Sequence, residues 1–229
     1  MNAIITGATK GMGKAIAIKL AENGYNLAVC ARNREELAEF AEAMAYTGRD
    51  IFTFQADCSI KEELYAFCQA ASAHMPTVDV LVNNAGMFLV GAMLDEADEQ
   101  LEKQVSLNVM AAYYTSKYFG KRMREQASGH IFNICSVASK QIVENAGSYS
   151  VTKGALLSLN HVFRDELSKY NVKVTAVLPG STLTASWEGT DIPSERFVQA
   201  EDIAETILYA LKMSSGANVD EITIRPVQF

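Results

Sequence analysis

The feature that most constrains this chain is an alternation. Seven short runs of strand-forming residues, at 3–6, 26–31, 51–55, 78–83, 130–136, 172–178 and 221–224, are separated by longer stretches. At 14–22, 34–45, 62–73 and 152–169 those stretches repeat apolar residues at intervals of three and four among Ala, Leu, Glu and Lys, the pattern of an amphipathic helix. Strands spaced in this way are not joined by tight hairpins. Parallel neighbours need a long crossover, and crossovers are right-handed because a twisted strand feeding a right-handed helix packs back onto the sheet only that way. The alternation therefore predicts an α/β fold, a Rossmann-like doubly wound sheet of seven parallel strands with helices on both faces.

Nothing divides the chain. Its 229 residues, 49% hydrophobic, suffice for one core, and four prolines with no low-complexity run or fixed repeat mark no boundary, so a single domain is expected over 1–229. The longest irregular segment, 181–198, follows the sixth strand. Ligands of doubly wound sheets lie beyond the carboxyl ends of the strands, which makes this segment a predicted substrate lid.

A formal net charge of -7 disfavours nucleic acid and anionic lipid as partners. The first residues carry neither a basic leader nor a long apolar stretch, so a cytoplasmic protein without a membrane partner is expected. Cys30, Cys58, Cys68 and Cys135 lack CxxC spacing, and Cys30 and Cys135 lie inside apolar runs where a reduced thiol behaves as a small hydrophobe. His74, His130 and His161 show no metal spacing and no adjacent nucleophile. Neither a disulfide nor a metal site is expected.

The first strand runs into Thr6-Gly7-Ala8-Thr9-Lys10-Gly11-Met12-Gly13 and then at once into a helical pattern. Glycines spaced GxxxGxG let the backbone turn tightly and let a pyrophosphate approach the helix N-terminus, whose free N–H groups and dipole favour anions. Dinucleotide sites that take NAD usually place an acid at the end of the second strand to hold the ribose hydroxyls. Here Ala31 stands there, followed by Arg32, whose planar fork suits a phosphate, and Lys10 could add a second positive charge. The expected cofactor is NADP(H).

Further on come Asn83-Asn84-Ala85-Gly86 after the fourth strand, Asn108 in the next helix, Ser136 closing the fifth strand, Tyr149-Ser150-Val151-Thr152-Lys153 opening the following helix, and Pro179-Gly180 after the sixth strand. In this order, over essentially the whole chain, they resemble the classical short-chain dehydrogenase/reductase family, in its NADP(H)-preferring carbonyl reductase form. The resemblance implies hydride transfer between NADP(H) and a carbonyl or alcohol, with Asn108, Ser136, Tyr149 and Lys153 as the catalytic set. Asn108 is then expected to help a water relay, and Lys153 to hold the nicotinamide ribose.

For the coenzyme the same resemblance implies Gly7, Thr9, Lys10, Gly11, Met12 and Gly13 on the first loop, with Arg32 beyond the second strand and Asp57 and Cys58 after the third. Asn84, Ala85 and Gly86, then Pro179, Gly180 and Thr182, complete its surroundings with Tyr149 and Lys153. Asp57 reads as a helix N-cap from its position alone and as an adenine contact from the resemblance. Ser136, Ala138, Ile142, Tyr149 and Trp187 are the expected substrate contacts, flanked by Met87, Phe88 and Val143. Relatives of this kind pair two long helices, here around 107–123 and 152–168, into homodimers or homotetramers.

The chemistry also follows from the residues themselves. Tyr149 and Lys153 are four apart, so on a helix they share a face, and an ammonium beside a phenol favours loss of the phenolic proton. A serine hydroxyl beside them would steady the charge that develops on a carbonyl oxygen as hydride arrives at carbon. Spacing alone is cheap, since Tyr113 and Lys117 repeat it in mid-helix, where it reads as packing plus a surface charge.

Three enzymatic alternatives and one non-enzymatic one compete with this reading. An epimerase or dehydratase of the extended family usually places its second glycine where this chain has Lys10, and enoyl reductases space tyrosine and lysine more widely. A 3-oxoacyl-[acyl-carrier-protein] reductase is the nearest rival, although such relatives commonly end differently from Glu221-Ile222-Thr223-Ile224-Arg225-Pro226. A non-catalytic NADP(H)-binding regulatory or scaffold protein would be expected to carry a damaged tetrad, and this one is intact.

Overall fold

A computed structural model describes residues 1–228 apart from 185, 186 and 188. Seven strands, β1 (Asn2–Thr6), β2 (Asn26–Ala31), β3 (Ile51–Gln55), β4 (Val80–Asn83), β5 (Gly129–Ile134), β6 (Val172–Pro179) and β7 (Glu221–Ile224), form one sheet. Its order is β3-β2-β1-β4-β5-β6-β7, and each neighbouring pair is parallel. The connections are the helices α1 (Gly11–Glu22), α2 (Arg34–Ala43), α3 (Lys61–His74), α4 (Glu99–Val105), α5 (Ala111–Gln126), α6 (Gly147–Ser168) and α7 (Ala200–Leu211). This is the predicted Rossmann-like, doubly wound architecture in a single domain.

Side chains alternate across the strands, so each face of the sheet has its own core. Ala3, Ile5, Val29 and Val82 pack with Ile16 and Leu20 of α1, Phe40 of α2 and Ile207 of α7. Ile4, Ala28, Leu81 and Ile131 face the other way, onto Phe67 of α3, Phe119 and Met123 of α5 and Leu167 of α6. Strands so largely apolar and buried are those of a sheet covered on both faces. Among the described residues no helix is long and apolar enough to cross a membrane, and all four cysteines are free and buried.

Element ends differ from the sequence reading where side chains claim the backbone. The fourth strand starts at Val80 instead of 78, because the Gln126 amide takes both the N–H and the carbonyl of Val78, at 3.0 and 2.9 Å. Strand β5 stops at Ile134, leaving Ser136 beyond it as the cap of a short 3-10 turn, Val137–Ser139. Helix α6 starts at Gly147, five residues before its apolar periodicity, since its first turn buries Ser148 and Ser150 in place of hydrophobes.

His130 is a core residue at the start of β5. Its ring stacks on Phe132 at 4.0 Å, and its Nε2 lies 2.7 Å from Thr175 Oγ1. Because that hydroxyl donates to the Val219 carbonyl at 2.6 Å, it accepts from the ring, which fixes the proton on Nε2. Burial, with the Lys173 charge adding to it, pushes His130 down to about 3. Between the ordinary histidine value and that figure the unfolded chain binds a proton that the native protein refuses, so stability falls as pH falls through this window. The expected contribution is about 1.4 kcal/mol per pH unit. His130→Gln should lose stability at neutral pH yet show a shallower decline towards acid, read from urea unfolding free energies at a series of pH values.

Candidate active site

The strand order reverses beside β1: the chain moves outward through β2 and β3 and then returns to place β4 on the other side. Loops leaving the carboxyl ends of β1 and β4 must diverge there, which opens a crevice. Gly7 and Gly11 have φ of +69° and +52°, left-handed values that cost glycine little. Gly13 is required by proximity instead. A Cβ on it would stand 2.2 Å from the Gly7 carbonyl oxygen and 2.3 Å from Asn84 Nδ2. Asn84 Nδ2 donates to the carbonyls of Thr6 and Gly7 at 3.0 and 2.8 Å, while Thr6 Oγ1 accepts from the N–H groups of Asn84 and Ala85, both at 3.1 Å. The two loops are thereby stitched across the crevice.

A cleft of about 390 Å³ opens over this seam. Gly7, Thr9, Lys10, Gly11 and Met12 line it from the first loop, and Asn84, Ala85 and Gly86 from the second. Arg32, Asp57 and Cys58, also expected from sequence, complete its far wall. Helix α1 opens onto the cleft with no side-chain cap from Lys10 and no acid in its first turn, so its leading N–H groups suit a diphosphate. The residues thus fit a dinucleotide: the backbone is bare where glycine is needed, and positive charge lies at the end where Ala31 takes the place of an acid.

Several details were not legible. Glu36 lines the same end of the cleft, and its Oε1 lies 2.9 Å from Lys10 Nζ, so the lysine expected to be reserved for phosphate is engaged with a carboxylate. The Lys10 hydrogen bond holds the Glu36 carboxyl below the usual glutamate range. Asp57 is no helix N-cap. Its Oδ1 accepts from Ser59 N–H and Oγ at 2.9 and 2.7 Å, turning the chain into Ile60, the residue that caps α3. Pro179, Gly180 and Thr182 do not line this cleft: Gly180 N–H donates to the Ile224 carbonyl at 2.7 Å and Thr182 Oγ1 to the Gly180 carbonyl at 3.0 Å. Leu107 and Thr184 line it instead, and no spacing signal pointed to either.

Beyond Gly86 lies a second cluster. Lys153, only 5% exposed, donates from Nζ to the Ile134 carbonyl at 2.8 Å, anchoring α6 to the end of β5. The same Nζ stands 5.7 Å from the centre of the Tyr149 ring, one turn earlier. Phe88 meets that ring edge-on at 4.9 Å. Ser136 Oγ accepts from Ala138 N–H at 3.1 Å, which leaves its own proton available for donation.

Asn108 sits in a π-helical turn, Ser106–Met110, between α4 and α5. Its side chain makes three bonds: Oδ1 accepts from Met87 N–H at 2.8 Å, and Nδ2 donates to the Met87 carbonyl at 2.9 Å and to Thr152 Oγ1 at 3.1 Å. Such insertions re-aim a helix at the cost of regular bonding. Here the turn clamps the loop after β4 onto α6. A Cβ on Gly86 would lie 3.2 Å from Asn108 Oδ1 and 3.6 Å from Lys153 Nζ, so these three positions converge.

The remaining expectations separate. Ile142 is 84% exposed, and Trp187 packs on Phe197 with ring centres 5.0 Å apart. Ala138 is buried beside Ser136 in the 3-10 turn. In the Tyr113 and Lys117 pair the ammonium reaches the phenol hydroxyl directly, at 3.1 Å, on an exposed helix face remote from the cleft residues. His74 bonds Asp50 and His161 bonds Glu221, and among the described residues no group of potential metal ligands gathers.

The sequence profile of the short chain dehydrogenase family matches residues 1–192. An uncharacterized oxidoreductase of Staphylococcus epidermidis is 32% identical over 225 residues, covering 98% of this chain and 96% of the relative. Among solved structures, an alcohol dehydrogenase from Thermococcus sibiricus complexed with 5-hydroxy-NADP superposes with a TM-score of 0.91 at 28% identity, over 99% of this chain and 96% of that one. The L-sorbose reductase of Gluconobacter frateurii, complexed with NADPH and L-sorbose, gives 0.91 at 26% identity over 98% and 94% of the two chains.

The seam generates a direct expectation. In Gly13→Ala the added methyl group must displace both the Gly7 carbonyl and the Asn84 amide, with a cost of about 1 to 3 kcal/mol. Thermal melting should show the destabilisation, and coenzyme titration should show binding lost to a greater degree than stability.

Proposed function

The chain belongs to the short-chain dehydrogenase/reductase family, and from that premise we propose that it is an oxidoreductase exchanging hydride between NADP(H) and a carbonyl or alcohol carbon, with Tyr149 as general acid and base. The observation that carries this reading is the placement of Lys153, buried and bonded to the end of β5, beneath the Tyr149 ring and beside Gly86 of the coenzyme cleft. Arg32 and the absence of an acid at Ala31 support the phosphorylated coenzyme, as do the NADP-type ligands in the two structures described above.

Bound NADPH would supply the hydride that the carbonyl carbon receives. Tyr149 then gives its phenolic proton to the substrate oxygen, with the Lys153 ammonium 5.7 Å from the centre of its ring. Ser136, with a lone pair occupied by Ala138 N–H, turns its hydroxyl proton to the same oxygen and stabilises the charge developing there. Lys153 also serves the ribose of the coenzyme. Asn108 is a positioning residue, holding Met87 against Thr152 of the helix that carries Tyr149 and Lys153.

Phe88 against Tyr149, with exposed Val90, Met93 and Leu94 following it, supports a substrate whose carbonyl bears apolar groups. The segment 181–198 acts as the lid, with Trp187 and Ile142 meeting substrate as it closes. Its base is pinned by a bridge between Thr182 and Val198. The working protein is read as a cytoplasmic homodimer or homotetramer paired through α5 and α6, the latter carrying the exposed apolar residues Val151 and Val162.

Tyr149→Phe should leave coenzyme affinity nearly intact while turnover on an accepted ketone falls about 10²- to 10⁴-fold. Ser136→Ala should lose about 10²- to 10³-fold, Lys153→Met should damage turnover and coenzyme binding together, and Tyr113→Phe should change neither. Steady-state rates and coenzyme titrations decide it, and a Tyr149→Phe protein with near-normal turnover overturns the mechanism.

Cofactor choice has its own check. Losing the charge-assisted bonds of a guanidinium to a phosphate is worth about a factor of ten or more, so Arg32→Ala should weaken NADPH to that degree and leave NADH almost unchanged. Fluorescence titrations with both coenzymes measure it. Equal affinities in the unmodified protein would contradict the preference.

A further inference from the structure

Of the charged groups that line the coenzyme cleft, Glu36 has no part in the reading above. It is the structure, and not the end of β2, that puts a carboxylate at the ribose end of the cleft: Glu36 enters from the first turn of α2. Its Oε1 lies 2.9 Å from Lys10 Nζ and accepts from Asn33 Nδ2 at 3.2 Å, and its Oε2 accepts from Thr9 Oγ1 at 3.1 Å. These bonds tie the glycine loop to α2 across the space between Lys10 and Arg32.

Two of the amides that open α2 are already spent at that end, since Asn33 Oδ1 accepts from the N–H groups of Glu35 and Glu36, at 2.8 and 3.2 Å. A 2′-phosphate entering there is met by the charges of Arg32 and Lys10. It meets Lys10 already paired, and it meets the negative charge of Glu36. The pair is open to solvent, with the lysine side chain 69% exposed, and pairs of that kind are weak enough to exchange.

Resting on the NADP(H) reading of the cleft, we propose that Glu36 is a specificity-determining residue: it holds Lys10 across the 2′-phosphate subsite, must yield it when the phosphate arrives, and so narrows the preference for NADP(H) over NAD(H). The unphosphorylated coenzyme leaves the Lys10 and Glu36 pair intact and gains or loses nothing by it. The phosphorylated one must divide Lys10 with a carboxylate and accept the repulsion of a like charge. The degree of discrimination is thus set by an acid outside the strand-end position where an acid is usually sought.

The test is a binding measurement. Dissociation constants for NADPH and NADH are determined by coenzyme fluorescence for the unmodified protein, Glu36→Gln, Lys10→Ala and the double variant. Relief of one like-charge contact at a few ångströms in a wet site is worth about 3- to 10-fold, so Glu36→Gln should tighten NADPH by that factor and move NADH by less than about twofold. In the Lys10→Ala background at least about half of the gain, in logarithmic terms, should vanish, and raising the salt concentration should shrink it. A Glu36→Gln protein that shifts both coenzymes equally overturns the proposal, because a residue that merely braces the glycine loop through Thr9 would do that. Unchanged or weakened NADPH binding overturns it too, as does an undiminished gain without Lys10. If the unmodified protein binds neither coenzyme, the cofactor reading and the proposal fall together, whereas normal NADPH preference with a silent Glu36→Gln sinks the proposal alone.

Discussion

Everything in this molecule that bears on coenzyme and catalysis hangs from the contact of Gly13 with the Gly7 carbonyl and the Asn84 amide. With no side chain at Gly13, the first turn of α1 comes within bonding distance of the seam between β1 and β4, where the strand order reverses. Helix α1 set at that depth meets α7 on the same face through Ile16, Leu20, Ile203 and Ile207. Asn84, once committed to Thr6 and Gly7, fixes the course of the loop that brings Gly86 beside Asn108 and Lys153. The coenzyme cleft and the candidate catalytic cluster share this one junction.

The other half of the site depends on a buried polar chain. Asn83 Nδ2 donates to Ser116 Oγ and to Asn133 Oδ1, both at 2.8 Å, Thr115 Oγ1 donates back to Asn83 Oδ1, and Asn133 Nδ2 reaches Asn160 Oδ1 at 2.9 Å. Two strands and two helices are joined by amides that would be costly to bury unpaired. Apolar contacts between a helix and a sheet tolerate sliding, but hydrogen bonds are directional. This chain therefore sets the rotation of α6, and with it the direction in which Lys153 points.

Much of the architecture could be read along the chain because burial on both faces leaves a strong local signature. Strands at 26–31, 51–55 and 221–224 have the bounds that the apolar runs suggest. The ends that moved were those where a distant side chain intervened, as Gln126 does at Val78, or where the buried face of a helix is built from serines, as at the start of α6. The glycine loop and Arg32 were legible as cleft residues since they rest on a backbone requirement and a charge at a strand end, and the loop from Asn84 to Gly86 through the family resemblance. Glu36 and Thr184 were not, because what brings them there is the approach of separate segments, which leaves no periodic trace.

By itself, then, the sequence determined the number of strands, their parallel course, the place where an anion could meet a helix terminus, and the pairing of Tyr149 with Lys153 on one helix face, all of which depend on interactions within a few residues or on the pattern of burial. Only the tertiary structure decided that Lys10 is held by Glu36 and that Asn108 turns its amide to Met87 and Thr152, and only it supplied the contacts that separate Tyr149 with Lys153, favoured already by the order of motifs, from Tyr113 with Lys117. Both tyrosines satisfy the same local spacing, and a helix carries no information about what will pack against it. The difference arises when the end of β5 accepts the Lys153 ammonium and Gly86 leaves room beside it, a meeting of segments far apart in the chain that only the folded sheet brings about.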